Sequence, residues 1–600
     1  MARDTGREDH NRTDIMNNRE IAAVFLRIAD ALEINEENIF RIRAYRVAAQ
    51  NIVDLSGELE DIYNEDPSRL DKIPGIGKDL KGKIIEMIET GQLKYYNDLM
   101  KGFPSGFFDM FSLSGLGARK IGKLRDELGI RNIDGLEEAC KKGSLAKIEG
   151  MGERTQAKLL EAIKHFRKRE GRMLLSEAYS YADEIVAYLS RSGNFKKIEK
   201  AGSLRRGMET VGDIDILAVA GDGRKAMDYF VSYPGLESVI AKGLTKSSIS
   251  LKGGPQVDLR VIEASCFGAA LVYFTGSKQH NVKIRRIAKN MGYKVSEYGV
   301  FSVTAGGREK MIAGRREDEV YHKLGMRWIP PELREGRGEI EAATYAKGAA
   351  KGKKDLPEGL LKIEDIKGDL HIHTVASDGR ATVDDIAAAA RKKGYEYFAV
   401  TDHSKYVRIA GGLDEKRLLK QVEKIRKIAR KIKGIKILSG VEVDILRDGE
   451  LDIADYALKE LDIVIAAVHS GFSLDKKKQT SRILKAMDNR YVNVLAHPSG
   501  RLITSRSSIQ ADFDGIFRRA VENNIYLEIN THGERMDLND VQCRRAKELG
   551  GRFTVNTDAH ETGQLDEMIY GVVTARRGWI EKKDVLNTYT FDKLIKALKR

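Results

Sequence analysis

The chain has 600 residues, 42% hydrophobic and 32% charged, with a net charge of +14. That is too long for one hydrophobic core, so several domains are expected. No apolar run of about 18 residues exists to span a membrane, the opening Met1-Ala2-Arg3-Asp4 has no apolar signal core, and three scattered cysteines (Cys140, Cys266, Cys543) exclude a disulfide framework. The expectation is a soluble cytoplasmic protein with no membrane partner, and the basic excess favours a polyanion such as nucleic acid without deciding for it.

From about Ile15 to Lys168 the chain reads as amphipathic helices; Val24, Ile28 and Leu32 share one apolar face. Within it three segments, Ile73–Ile84, Leu113–Leu124 and Ile148–Leu159, repeat one pattern: apolar-x-Gly-apolar-Gly, five residues, then Lys and an aliphatic residue. The glycine pairs Gly75/Gly77, Gly115/Gly117 and Gly150/Gly152 permit a tight hairpin. The helix that follows offers free N–H groups to a phosphate. The pattern resembles the helix-hairpin-helix motif, which implies a grip on the DNA backbone with little sequence readout. With Arg43-Ala-Tyr-Arg-Val-Ala-Ala49 ahead of it, the first copy also resembles the small N-terminal domain of family X DNA polymerases. In members with deoxyribose-phosphate lyase activity, a lysine at the position of Lys83 forms a Schiff base. Lys78 and Lys81 are the cations that would lower its pKa. Asp79 and Gly82 depart from the animal enzymes, and a phosphate-binding lysine is the alternative. The boundaries expected here are 1–96 for the lyase-like domain and 97–170 for a second helix-hairpin-helix subdomain.

Asp213-Ile-Asp215 opens an apolar run that reads as a strand, where residues two apart share a face. Two adjacent carboxylates repel unless a divalent cation lies between them. Ser247–Leu251, Lys252-Gly-Gly-Pro255 and Gln256–Ile262 read as a hairpin that places Asp258 mid-strand among apolar neighbours, where a lone carboxylate is costly. Three acids on adjacent strands make an oxygen site for two Mg²⁺ (or Mn²⁺) ions. Gly202-Ser203 and Arg206 precede them at the spacing of the nucleotidyltransferase superfamily, and Tyr273-Phe274-Thr275-Gly276-Ser277 narrows the resemblance to family X DNA polymerases. The resemblance implies that Gly202, Ser203 and Arg206 hold the triphosphate and that the Tyr273–Gly276 turn lies against the sugar. It also implies that Asn281 and Arg285 contact the nucleotide or the template. Arg172 is a weaker candidate for a triphosphate arginine, and Lys278, standing where vertebrate enzymes have an acid, receives no role. An α+β nucleotidyltransferase palm is expected at 171–266 and a nucleotide-selecting subdomain at 267–332.

Residues 333–362, rich in Gly, Lys, Ala and Glu, read as a linker. Beyond it, at 363–600, apolar strands alternate with helical segments. Seven strands end near His371-Ile-His373, Thr401-Asp402-His403, Val441–Asp444, Val468-His469, Leu495–Pro498, Ile529-Asn530 and Thr557–His560. This pattern predicts a parallel α/β barrel with its site at the C-terminal strand ends. Imidazoles with carboxylates suit Zn²⁺, Mn²⁺ or Fe²⁺. The order His-x-His-x4-Asp, His, Glu, His, His, Asp-x-His resembles the polymerase and histidinol phosphatase (PHP) domain, a distorted (β/α)7 barrel. The resemblance fills nine ligand positions and implies two or three Mn²⁺ or Zn²⁺ ions. His371, His373, Glu442 and Asp558 would hold one, Glu442 would bridge to a second with His469 and His497, and Asp378, His403 and His560 would hold a third. Arg506 or Arg501 would steady a phosphate, and His532 is unassigned.

The whole order of domains resembles bacterial and archaeal family X polymerases. That implies gap filling in base excision repair on gapped or nicked double-stranded DNA with dNTPs, and 3′–5′ exonuclease activity in the PHP domain. Abasic-site cleavage and 3′-phosphate removal occur in some members. A monomer associated with the nucleoid is expected. Two other readings, a catalytically inert DNA-bridging scaffold and a small-molecule phosphatase, are opposed by the complete acid and histidine sets and by the hairpin repeats.

Overall fold

A computed structural model describes residues 16–599 apart from 17, 54, 56–58, 105, 114–115, 149–150, 153–154, 161, 164–170, 304–307 and 346–354. The chain divides into two compact units, Met1–Glu170 and Gly171–Arg600. Among the described residues no helix is long and apolar enough to cross a membrane.

The first unit is helical. Asn18–Ile34 and Ile39–Val53 pack through Ile21, Phe25, Ile28 and Tyr45, with Phe25 edge-on to Tyr45 at 5.4 Å. Gly77 and Gly117 each stand just before a helix, Lys78–Thr90 and Ala118–Leu128. Gly75 takes a left-handed φ of +76° and passes so close to Val47 that an added Cβ would lie 2.8 Å from it. This turn therefore demands glycine. Gly152 precedes the helical residues 155–160, while Gly115 and Gly150 lie outside the described residues. A second apolar cluster gathers Phe107, Ile121, Leu136 and Met151.

The second unit holds a five-stranded mixed sheet followed by a barrel. The sheet order is Phe195–Lys200, Asp213–Ala220, Gln256–Val261, Lys246–Leu251, Leu236–Lys242. Asp213–Ala220 and Gln256–Val261 run parallel; the hairpin Lys246–Leu251 with Gln256–Val261 is antiparallel, as its Gly-Gly turn predicts. Helices Phe267–Thr275 and Lys278–Asn290 follow, then a three-stranded sheet from Tyr293 to Ala313.

The expected linker at 333–362 is not one over most of its length. Glu339–Ala343 is helical, and Ile340, Ala343, Leu356 and Leu360 share a core with Val320 and Tyr321. Arg334 is fully buried against Glu317 at 2.8 Å, and Glu339 pairs with the buried His280 Nδ1 at 2.8 Å. The stretch lacks periodicity because a few apolar side chains and mutually neutralised charges, rather than an amphipathic stripe, attach it. Residues 346–354 lie outside the described residues.

The barrel strands are Gly368–Ile372, Tyr397–Val400, Lys436–Asp444, Ile463–Ala467, Val494–Leu495, Tyr526–Asn530 and Phe553–Asn556, all parallel and in sequence order. Ile372 pairs with Ala559, and His373 N–H donates to Ala559 O at 2.8 Å, so the last strand returns to the first. Leu594 and Leu598 of the final helix pack with Leu370, Ala399, Leu438 and Ile465 of the strands. The polar residues leave the strands at the other, C-terminal, ends.

Candidate active sites

The first site grows from strand register. Asp213 and Asp215 lie on one face of their strand, and Asp215 stands directly beside Asp258 of the neighbouring parallel strand. Burial first, then the charges of Asp213 and Asp258, push the Asp215 carboxyl up to about 7. Burial acts the same way on Asp258, but hydrogen bonds from Lys246 (2.7 Å) and Gln256 (2.8 Å) outweigh it and hold that carboxyl low. A carboxylate pressed toward its neutral form by other carboxylates fits a site completed by a divalent cation. Gly202, at φ +61°, lies so near that an added Cβ would be 2.2 Å from Asp215 Oδ2. Glycine alone lets this turn reach the acids.

Arg206 leaves that turn and donates from Nη1 to Thr275 O at 2.8 Å and from Nε to Glu335 at 2.9 Å. The short helical turn Gly202–Arg205 is thereby tied to the C-terminal end of the helix Phe267–Thr275, where the sequence suggested a turn. Asn281 Nδ2 donates to Tyr273 O at 2.6 Å, an added Cβ at Gly276 would meet Asn281 at 2.7 Å, and Arg285 Nε donates to Asn281 O at 3.3 Å. Tyr273 and Phe274 stack edge-on at 5.1 Å. Arg172 donates to Thr210, three residues before Asp213.

The second site lies at the barrel's C-terminal rim, and its nine side chains converge. Glu442, fully buried, is central: His497 Nε2 lies 2.9 Å from it, His403 Nδ1 2.7 Å, His469 Nε2 3.2 Å and His371 Nε2 3.5 Å. His373 Nε2 is 2.9 Å from Asp558, and His403 and His560 each lie 3.5 Å from Asp378. Burial disfavours charge on Glu442, yet His469, His403 and His371 hold its carboxyl well below the usual range. Among the described residues three groups have donor atoms close enough for one ion each: His373, Asp378, His403 and His560; His371, His373 and Asp558; His403, Glu442 and His469. Buried His371 Nε2, His373 Nδ1 and His497 Nδ1 make no hydrogen bond within the protein, and His373 Nε2 and Asp558 Oδ1 approach to 2.9 Å without hydrogen-bond geometry. So many unsatisfied buried donors and acceptors fit a resident metal cluster. His497 (φ +26°) and Asp558 (φ +55°) also adopt left-handed backbone, strain of the kind that gathers at functional sites.

Comparison with known proteins bears on both sites. Family models match residues 16–93 (helix-hairpin-helix domain), 107–165 (SAM-like helix-hairpin-helix tandem), 270–335 (DNA polymerase beta thumb) and 369–532 (PHP domain). The DNA polymerase/3′–5′ exonuclease PolX of Bacillus subtilis (strain 168) is 37% identical over 587 residues, 98% of this chain and 100% of the relative. The chain belongs to the PolX family of family X DNA polymerases. Shorter relatives include a probable phosphatase of Thermoanaerobacter sp. (strain X514), 29% identical over 37% of this chain and 89% of its own length. Another probable phosphatase, from Photobacterium profundum, is 32% identical over 32% of this chain and 77% of its own length.

Asp213, Asp215 and Asp258 precede the matched thumb residues, and His371, His373, His403, His469 and His497 lie within the matched PHP residues. Three sequence expectations change. His403 faces Glu442 with one ring nitrogen and Asp378 with the other, and His373 enters two groups, so the expected sharing of ligands differs there. An imidazole has donors on two edges, which spacing alone cannot apportion. Arg501 pairs with Glu209 at 2.8 Å and donates to Met536 O at 2.6 Å. Arg506 lies over Phe472 and donates to Gly500 O, while Arg535 stands 3.8 Å from Asp558. Lys83 is paired rather than free: Asp79, one helical turn before it, takes its amine, Lys81 pairs with Asp71, and the Tyr95 ring, 5.2 Å from Lys83, is shared with Arg41.

Sequence reasoning missed Glu528 and Asp444. Glu528 accepts from His371 Nδ1 at 2.8 Å and from His497 N–H at 2.8 Å; Asp444 accepts from His469 N–H at 3.3 Å. Both are acids in buried strands, the signal that singled out Asp258.

Proposed function

We propose that this chain fills short gaps in DNA at the Asp213, Asp215 and Asp258 site and hydrolyses DNA 3′ ends at the PHP site, in base excision repair. The register pairing of Asp215 with Asp258 under the Gly202 turn supports the first activity most directly. Its side chains then divide the work. Gly202, Ser203 and Arg206 receive the triphosphate, and Tyr273, Phe274 and Gly276 pack against the sugar. Asn281 braces that turn, and Arg285 extends toward the template. Divalent cations, Mg²⁺ or Mn²⁺, would activate the primer hydroxyl and neutralise the triphosphate when bound between the acids. Gly75, Gly77, Gly117 and Gly152, each before a helix, would let the backbone there grip DNA phosphates; Gly115 and Gly150 lie outside the described residues. Lys83, already paired with Asp79, fits phosphate binding better than Schiff-base chemistry.

In the PHP barrel His371, His373, Asp378, His403, Glu442, His469, His497, Asp558 and His560 would hold two or three Mn²⁺ or Zn²⁺ ions, which polarise a phosphodiester and lower the pKa of a bound water. Glu528 orients His371 through Nδ1 and so turns Nε2 toward Glu442 and Asp558. Arg535 is placed to meet the phosphate. The relatives named as probable phosphatases favour 3′-phosphate removal as a further activity of this barrel. Gapped or nicked DNA, dNTPs, a monomeric state and a cytoplasmic, nucleoid-associated location complete the reading. The test is the purified chain on a one-nucleotide-gapped duplex with Mg²⁺ or Mn²⁺. Single-nucleotide extension with dNTPs and 3′ shortening without them are expected; neither product would overturn it.

A further inference from the structure

Arg577 ends the helix Met568–Arg577, and its side chain is only 4% exposed. It is not one of the nine PHP ligands. A buried guanidinium requires partners, and two of its three, the Arg206 carbonyl and Glu335, lie outside the barrel, while Asp540 belongs to the barrel itself. Nη1 donates to the Arg206 carbonyl at 2.7 Å and to Glu335 Oε1 at 2.9 Å; Nη2 donates to Asp540 at 2.7 Å. The same Glu335 oxygen accepts from Arg206 Nε at 2.9 Å. Asp540 also pairs with Arg337 at 3.0 Å. The charges Arg206, Glu335, Arg577, Asp540 and Arg337 therefore alternate in sign and end positive at both ends.

Packing pins the same place. Gly207 sits at φ +64° where an added Cβ would be 2.0 Å from Val573 Cγ1, on the helix that carries Arg577. Val573, Ile503 and Met536 of the barrel side join one apolar cluster with Leu204, Val211 and Ile214 of the palm. The loop between the Gly202-Ser203 turn and Asp213 is thus held from the barrel side by a charge, a glycine-only fit and a shared core.

We propose that Arg577 is a positioning residue for the nucleotide site: by sharing Glu335 the PHP-side helix sets the orientation of Arg206 and the balance of charge around it, and so the affinity for a nucleoside triphosphate. This rests on the reading of Asp213 to Arg285 as that site. Without Arg577, Glu335 would neutralise Arg206 alone and could pull its long side chain into a closed pair. With Arg577 sharing Glu335, Arg206 keeps its positive field, and its Nε and Nη1 are already fixed, leaving Nη2. Little ordering then remains to be done on binding. The PHP barrel, on this account, is a structural part of the polymerase.

The experiment is steady-state single-nucleotide insertion by the full-length protein on a one-nucleotide-gapped duplex. R577Q removes the ionic bonds to Glu335 and Asp540 and is expected to raise the dNTP KM about tenfold, equivalent to one charge-assisted bond from Arg206 to the triphosphate, with kcat, gapped-DNA affinity and 3′-end hydrolysis little changed. R577K, which keeps the charge, should recover part of the loss. D540N removes the outer anchor of Arg577 without touching the palm and should shift KM the same way by less; it decides the matter if R577Q does not fold. Unaltered KM in both variants, or a fall in kcat or thermal stability with KM unmoved, overturns the proposal while wild-type insertion stands. No insertion by the wild type overturns the nucleotide-site reading, and this proposal with it.

Discussion

The palm and the barrel solve the same electrostatic problem differently. In the palm three carboxylates meet with Lys246 and Arg260 beside them, and Asp213 is exposed at the strand's start. In the barrel three carboxylates are interleaved with six imidazoles, and Glu442, His371 and His373 are fully buried. On the proposed reading, a cation in the palm would take some of its donors from substrate phosphate, whereas the barrel would supply nearly all donors itself. An open oxygen site suits a labile cation arriving with a nucleotide, whereas a closed nitrogen-rich site suits resident ions.

If the two sites are independent, crossed substitutions separate them. Asp258→Ala should lower nucleotide addition by about a thousandfold or more and spare 3′-end hydrolysis. Glu442→Ala should do the reverse and strip bound metal, as elemental analysis would show. Either variant losing both activities while folded breaks the comparison.

A buried charge neutralised entirely by protein is the contrasting case. Burial opposes charge on Glu317, but Arg334 and Arg205 outweigh it and hold its carboxyl far below the usual range. A depressed folded-state pKa contributes stability that is complete above the ordinary carboxylate range and declines as pH falls below it. Glu317→Gln strands Arg334 and should cost about 3–5 kcal/mol. Denaturant melts at neutral and acid pH are the check: the gap between wild type and variant should narrow on acidification, and a constant gap would refute the assignment.

The closed nature of the barrel site predicts an effect one layer out. Glu528→Gln should weaken hydrolysis and metal retention about 10–100-fold while leaving synthesis intact. Metal removal sharpens the point. After chelation, Mg²⁺ alone should restore synthesis, while hydrolysis should need Mn²⁺ or Zn²⁺; recovery of both on Mg²⁺ would erase the distinction. The smallest effect is expected at Lys83. Lys83→Ala should reduce gapped-DNA affinity less than about tenfold. Borohydride trapping on a 5′-deoxyribose-phosphate end should give no adduct that depends on this lysine; a lysine-dependent adduct would restore the lyase reading.

Much of both sites was legible because their chemistry requires unusual residues at local spacings. Two acids two apart on a strand, glycine pairs before helices, and His-x-His at a strand end are improbable in a core without a cation or phosphate, so Asp213, Asp215, Gly75, Gly77, His371 and His373 stood out. The alternation of apolar runs with helical stretches determined the parallel barrel and the end at which its polar residues emerge. What the chain order could not decide were relations between residues far apart in sequence. Glu528 orienting His371, His403 serving two neighbours, Arg501 paired with Glu209, the packed stretch at 333–345 and the Arg577–Glu335–Arg206 contact all depend on which surfaces meet. Local propensity carries no information about such pairings; they arise only when burial of distant apolar faces forces charged groups to find partners across the seam.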